Sequence, residues 1–491
     1  MCAMTSPTTR TTSARALVLP LALAQFIASY AATNMNVAIS EIARDLGTTV
    51  VGLQTAITLF TLTMASLMIP GSKLTDVLGR KACFVGGLVV YGVGALLAVV
   101  AQGLTLMIVG YSLLQGIGSA LMIPPIYILV TVAFPDVSSR AKYFGIVSGA
   151  AGLGAAAGPL IGGLITSAIS WRASFMVQVL VVAWIIYLAR RFAAPKRVGP
   201  RPRFDATGAV LSAAGLFSVV LGFLSTNSYG WLSARKDLSI AGEVIIPKGG
   251  VCPVWIMLAV GVLFLLWFFL HIRSTERAGK EPLLHTRLFR NRSANLGLGT
   301  QTIQWLTMQG SFFVISVYLQ QVRGYSAIQN GLMLTPATAG ILLSSAAAGR
   351  FARRRAQRTL IIVGFVLTTV GMGIMLALAW ATSGTIKFVP GLLLIGLGVG
   401  VMLTSSVNVV QSSFPESDQG DISGLSRSVS NLGSSLGVAL VGSVLVAASS
   451  PGDKPYALAI GTMLAFALVG LVLAVLLPRR RSADPAAGAS S

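Results

Sequence analysis

Residues 145–163 read GIVSGAAGLGAAAGPLIGG. Gly154, Gly158 and Gly162 recur every four residues, so on a helix they pave one face. Such a face lets a neighbouring backbone approach closely, which is how helices associate in lipid, where apolar burial gives no drive. Pro159 removes one helical N–H and favours a bend at its level. The glycines return 279 residues later, with Gly145, Gly154, Gly158 and Gly163 falling on Gly424, Gly433, Gly437 and Gly442. A shift of 280 carries Leu114, Gly116, Gly118 and Met122 onto Leu394, Gly396, Gly398 and Met402, and Phe134-Pro135-Asp136 onto Phe414-Pro415-Glu416. In a chain with 53 glycines, glycine matches arise by accident, but a Phe-Pro-acid triplet beside them does not follow. The pattern predicts an internal repeat.

Composition supplies the setting. The 491 residues are 54% hydrophobic and 10% charged, with mean hydropathy +0.80. Soluble domains carry about 25% charged residues, so a soluble enzyme is excluded. About 20 apolar residues cross a bilayer, and fourteen stretches qualify: 16–39, 51–71, 82–101, 104–133, 144–168, 172–192, 205–224, 253–271, 295–320, 329–349, 359–380, 388–411, 422–448 and 457–477. The first is too long for a signal peptide, contains Asn34 and Asn36, and lacks a clear cleavage site. The net charge of +22 fits topology better than a nucleic-acid partner. With both termini cytoplasmic, 27 of the 36 basic residues lie inside and 8 outside, and Arg427 alone lies within a span.

The expected architecture is an all-α polytopic protein with two six-helix bundles and two inserted helices. Its parts are a cytoplasmic segment (1–15), an N-terminal bundle (16–192), a linker with two inserted spans (193–294), a C-terminal bundle (295–477) and a cytoplasmic tail (478–491). The outside loop from Ser225 to Cys252 holds a possible small hairpin over Leu238–Pro247 and otherwise reads as a solvated connector. Only Cys2, Cys83 and Cys252 are present, so neither a disulfide framework nor a four-cysteine metal site is expected, and no cofactor is implied.

Taken together, these features resemble the major facilitator superfamily, in its fourteen-span drug:proton antiporter branch. The span-five series Gly145, Gly154, Gly158, Pro159, Gly162, Gly163 matches the branch's antiporter motif, whose face seals the outward pathway in the family's exchangers. The loop Ser72-Lys73-Leu74-Thr75-Asp76-Val77-Leu78-Gly79-Arg80-Lys81 is similar to the superfamily's loop signature. In it, Asp76 can cap or pair with a helix end while Arg80 and Lys81 stay at the inner surface. The corresponding Gly349–Arg355 segment has lost the acid and reads as a basic anchor. In span four, Gly110–Gly118 resembles another signature, but Ser112 stands where a buried arginine is expected. In span one, Ala31 stands in place of an aspartate.

Those two departures direct attention to the acids. All fourteen carboxylates fall at span ends, in loops or in the tail, and His271 and His285 lie at or beyond the inner end of span eight. Ionisable groups inside a membrane usually mark proton relays; here any coupling is displaced, with Glu41, Asp45 and Asp421 as candidates and helix capping or surface charge as the competing reading. Arg427 reads either as a receptor for an anionic group or as a side chain extending to the inner surface. Cavity candidates are Asn34, Asn36, Gln54, Tyr111, Gln115, Gln301, Gln304, Trp305, Gln309, Phe312 and Phe313, with interhelical hydrogen bonding as the alternative for the amides. Gln301, Gln304 and Trp305 share a helix face, and the polar faces of spans one and nine are expected to meet at the centre. A carboxylate-free cavity suits neutral or weakly anionic amphiphiles and suits permanent cations poorly.

The resemblance implies a non-enzymatic secondary transporter in a bacterial cytoplasmic membrane, exporting hydrophobic or amphiphilic compounds by alternating access and proton antiport. Its partners are the bilayer, a small amphiphilic substrate and protons. A proton-independent facilitator or lipid carrier is the alternative within transport. A non-transporting sensor is the alternative from another class, though it would normally append a soluble domain.

Overall fold

The computed structural model describes residues 14–134, 137–191, 204–231, 237–240, 243–354, 356–378, 384–414, 418–448 and 453–478. Pro135-Asp136, Pro415-Glu416, the basic segment 193–203, the tail from Arg479 and the side chain of Asp76 lie outside the described residues.

In chain order the helices are α1 (Ala14–Val37), α2 (Ile39–Asp45), α3 (Val50–Leu78), α4 (Arg80–Val99) and α5 (Leu104–Met107). A π-helix over Ile108–Gln115 joins α5 to α6 (Gly116–Ala133), followed by α7 (Val137–Ala168), α8 (Trp171–Ala189) and α9 (Ala206–Tyr229). A hairpin of β1 (Leu238–Ile240) and β2 (Glu243–Ile246) then leads to α10 (Pro253–Arg277) and α11 (Arg292–Gln321). The rest is α12 (Ala327–Arg354), α13 (Gln357–Leu378), α14 (Val389–Gln411), α15 (Gln419–Ala447) and α16 (Lys454–Leu476). The hairpin is the one anticipated in the long loop.

Local chemistry sets several boundaries. Thr49, Asp205 and Asn291 cap α3, α9 and α11 by accepting from the N–H groups of Gly52, Gly208 and Ala294. Gly79 turns α3 into α4 in one residue at φ 104°, a backbone setting in which a side chain is strained. That gives the glycine of the loop signature a physical reason.

Two groups of helices emerge from the packing. In the first, α1 lies on α7 and α4 on α6 and α8, with α3 against α6; in the second, α11 lies on α15 and α16, and α14 on α12 and α13. The glycines of the predicted repeat stand at matching crossings. Gly118 meets the backbone of α4 at Gly87, and Gly398 meets that of α13 at Gly364. The inserted helices α9 and α10 pair with each other, and α9 rests on α3 and α15, one helix from each group.

The surface is inside-out relative to a soluble protein. Leu263, Trp267 and Leu270 of α10 are more than half exposed, while Gln54, Gln115, Gln178, Gln301 and Gln304 are buried. Among the described residues eleven helices are long and apolar enough to cross a membrane, or twelve if the two parts of α7 form one span. Length and apolar composition alone therefore do not confirm the fourteen expected spans. The difference falls on α11 and α12: they are long enough, but α11 directs Gln301, Gln304, Gln309 and Gln320 into the protein.

The bend in α7 has a covalent cause. Its parts 145–155 and 157–168 meet at 41°. Pro159 cannot donate to the carbonyl four residues earlier, Ala155, and its ring crowds that group.

Candidate functional site

The two groups face each other along two seams and at a central contact. On one seam α3 meets α15: Gln54 Nε2 donates to the Val438 carbonyl at 3.1 Å, Thr61 and Ser435 hydroxyls meet at 2.7 Å, and Ser428 Oγ donates to the Ala65 carbonyl at 2.5 Å. On the other α7 meets α12, where Gly331 sits against the Pro159 carbonyl and the Ile328 N–H donates to Ser167 Oγ at 2.9 Å. Between them α1 meets α11 through Gln309 Nε2 to the Ala32 carbonyl (3.2 Å) and Gln320 Nε2 to the Asn36 carbonyl (3.1 Å).

Spans one and nine thus meet, through Gln309 of the expected amides but not through Gln301 or Gln304. Gln301 accepts from Ser426 and Gln304 from Ser406, each at 2.8 Å, so both bond inside the second group. Trp305 is partly buried against the main apolar cluster, and Phe312 and Phe313 are buried in it. Asn34 is buried against Gly158 and Gly162 of α7, so it packs on the antiporter motif. Asn36 is different: its side-chain Nδ2 and Oδ1 are buried without a protein partner, as are Gln309 Oε1, Gln304 Nε2 and Gln115 Oε1. Unpaired buried polar atoms are uncommon, and of these Asn36 and Gln309 stand at the contact between the two groups.

Within the first group, the two lost charges are replaced by neutral contacts. Ser112 Oγ donates to the Ala56 carbonyl at 2.7 Å, and Tyr111 Oη donates to the carbonyl of Ala31 at 3.2 Å. Tyr111 also stacks on Phe60, with centroids 4.7 Å apart, so it belongs to the bundle core. Gln178 of α8, which sequence reasoning missed, accepts from both Tyr91 Oη (2.7 Å) and Gln115 Nε2 (3.3 Å). Ser112 and Gln115 both sit in the π-helix, whose widened turn re-aims them relative to a regular helix.

The face of the antiporter motif is occupied by α1. A Cβ at Gly154 would overlap the Phe26 carbonyl, one at Gly158 the Thr33 hydroxyl, and one at Gly162 the Asn34 side chain. Gly163 lies against the Ala327 carbonyl of α12, whereas Gly145 has nothing within 4 Å.

Three of the charged candidates, Arg427, Asp45 and Asp421, are engaged with partners. Arg427 reaches from α15 to α6, where it bonds Tyr127 Oη with its guanidinium 4.9 Å from the ring centroid. It crosses the seam instead of extending along its own helix. Asp45 accepts from Trp171 Nε1 at 3.0 Å and pairs with Arg172. Asp421 pairs with Lys73 at 2.8 Å and His285 at 3.0 Å. Glu41 stands half-buried in the first turn of α2. Among the described residues no cluster of His, Cys, Asp and Glu could hold a metal.

The family model described as Major Facilitator Superfamily matches residues 21–239 and 238–438. The puromycin resistance protein pur8 of Streptomyces alboniger is 28% identical over 487 residues, 95% of this chain and 92% of that protein. The cephamycin export protein CmcT of Amycolatopsis lactamdurans is 28% identical over 478 residues, 96% and 94% of the two chains. The multidrug resistance protein Stp of Mycobacterium tuberculosis is 27% identical over 422 residues, 86% and 74% respectively.

Proposed function

The chain belongs to the Major Facilitator Superfamily, and we propose that it exports hydrophobic or amphiphilic compounds across a bacterial cell membrane by rocking its two helical groups. It is a membrane transporter and not an enzyme. Its relatives are named as resistance and export proteins, which supports efflux as the direction.

One observation carries the pathway: unpaired buried amide atoms of Asn36 and Gln309 stand where α1 of one group meets α11 of the other. A mobile contact between bundles is where alternating-access transporters hold substrate. The proposed bundles are 16–192 and 295–477, joined by 193–294, with α11 and α12 completing the fourteen as spans nine and ten. Both termini are proposed to be cytoplasmic, which puts the basic end of α3, the start of α15 and the α10–α11 connection on the inside.

Proton antiport is proposed as the driving force, through a displaced acid among Glu41, Asp45 and Asp421. A second reading, proton-independent facilitation, is favoured by the neutral contacts at Ala31 and Ser112. Substrate-panel flux in proteoliposomes, with and without an imposed pH gradient, separates them. Flux that ignores the gradient removes antiport, and no substrate-dependent flux at all removes transport of the panel in favour of a sensor.

A further inference from the structure

On the alternating-access reading given above, we propose that residues 279–291, between α10 and α11, form a strap holding the cytoplasmic end shut, with His285 as its positioning residue. Asp421 lies in the first turn of α15. Its Oδ1 meets Lys73 Nζ of α3 at 2.8 Å, an ion pair between the two helical groups. Ser72 Oγ donates to the Gly420 carbonyl at 3.3 Å at the same crossing. The other oxygen, Oδ2, meets His285 Nδ1 at 3.0 Å. A carboxylate free to rotate offers Lys73 a changing target, whereas one held at Oδ2 keeps Oδ1 aimed across the seam.

His285 can fix Asp421 only if it is itself fixed, and the strap is tied along its length. Leu283, Leu284 and Leu288 are buried with Ile69 of α3, Phe268 and Ile272 of α10 and Ile422 of α15. The Leu283 N–H donates to Asp205 Oδ2 at 3.2 Å, and Asp205 Oδ1 meets His271 Nε2 at 2.9 Å. The Thr286 N–H donates to Glu276 Oε1 at 2.9 Å, Arg287 pairs with Asp418, and Asn291 Nδ2 donates to the Ser413 carbonyl at 3.1 Å. Asp205 caps α9, and His271 and Glu276 belong to α10, so both inserted helices anchor the strap. The inserted pair therefore has a task beyond spacing the bundles: it braces the inner gate through His285.

The test reads the gate directly. With Cys2, Cys83 and Cys252 replaced by serine, spin labels on Leu78→Cys at the end of α3 and Ser412→Cys at the end of α14 report the separation of the two groups in liposomes without substrate. The unaltered gate should give mainly the short distance. His285→Ala should move a major fraction to longer distances, Asp421→Asn should do the same, and the double variant should add nothing. His285→Asn, whose amide can donate from the place of Nδ1, should restore the short distance, which also shows that the fold is intact. Unchanged distances in His285→Ala, with or without lengthening in Asp421→Asn, would overturn the strap. Loss of substrate flux in the same liposomes bears only on the transport reading.

Discussion

Thr33 Oγ1 of α1 donates at 3.1 Å to the carbonyl of Ala155 in α7, the group that Pro159 leaves without its helical donor. The proline of the antiporter motif and the threonine of span one are thus complementary: one breaks a backbone bond and the other replaces it. The same hydroxyl lies where Gly158 offers no side chain, so glycine, proline and threonine form a single joint between α1 and α7. A bend held in this way gives α7, which meets α12 of the other group, a defined geometry.

Thr33→Val keeps the shape and removes the donor, leaving the Ala155 carbonyl buried and unpaired. That costs on the order of 1–3 kcal/mol. A thermal-shift measurement in detergent should show a lower midpoint for Thr33→Val and a near-normal one for Thr33→Ser. Equal midpoints for all three proteins would mean that the carbonyl finds another donor.

The motif glycines should divide by environment. Gly154→Ala places a methyl group into the Phe26 carbonyl, and overpacking of this kind costs about 1–3 kcal/mol or forces α1 and α7 apart. Gly145→Ala meets nothing within 4 Å. Export should therefore fall sharply in the first variant and stay near the original rate in the second, although both glycines belong to one motif. Equal losses would assign the motif a role in backbone flexibility instead of close packing.

Much of this arrangement was legible in the chain because its signals are local. Glycines spaced by four mark a contact face wherever the partner lies, and Gly79 follows from the turn it must make. The partners themselves are not local. Nothing in the composition of α8 distinguishes Gln178 from a lipid-facing amide, and nothing before α15 announces that Asp421 will meet Lys73 and His285. The apolar count behind fourteen spans is weakest at α11 for a related reason, since a helix facing protein on most sides can carry four glutamines that a lipid-facing helix cannot. Gln301 and Gln304 are expected on the cavity face, but rotation of α11 about its axis, set by packing, turns them toward Ser426 and Ser406.

That rotation separates the amides by task. Gln309 bonds Ala32 across the bundle interface and has an unpaired oxygen, so Gln309→Ala should raise the KM for a favoured substrate by about tenfold, the worth of one contact near 1.4 kcal/mol. Gln301→Ala should leave KM nearly unchanged and lower the thermal midpoint through loss of the Ser426 bond. Flux measured over a substrate concentration series, beside melting curves, distinguishes the two. The opposite pattern would move the binding surface back to the face shared by Gln301, Gln304 and Trp305.

Arg427 and Tyr127, the latter buried, join α15 to α6 by a hydrogen bond and a ring contact, and cation–ring contacts are worth about 0.5–1 kcal/mol when exposed and about 2 kcal/mol when desolvated. Tyr127→Phe keeps the ring and loses the hydroxyl, whereas Arg427→Gln loses both interactions. If the pair acts as a unit, the double variant should transport no worse than Arg427→Gln alone. A greater loss in the double variant would show that Arg427 also acts elsewhere, as it would if it met an anionic substrate.

Proton coupling admits a quantitative test. A gradient of one pH unit stores about 1.4 kcal/mol per proton, enough to concentrate substrate about tenfold for each proton exchanged. A facilitator in the same vesicles can only equalise substrate. Asp45 already serves Trp171 and Arg172, and Asp421 serves Lys73 and His285, so neutralising either disturbs structure as well as charge. Glu41, half-buried in the first turn of α2, is the most direct probe. Glu41→Gln should abolish gradient-driven accumulation while leaving exchange without a gradient within about twofold, as expected when a proton site is lost and the substrate path is kept. Undiminished accumulation in Glu41→Gln, with loss in Asp45→Asn or Asp421→Asn, would move coupling to one of those pairs. Accumulation that never exceeds equality in the unaltered protein would make the neutral contacts at Ala31 and Ser112 the signature of a facilitator.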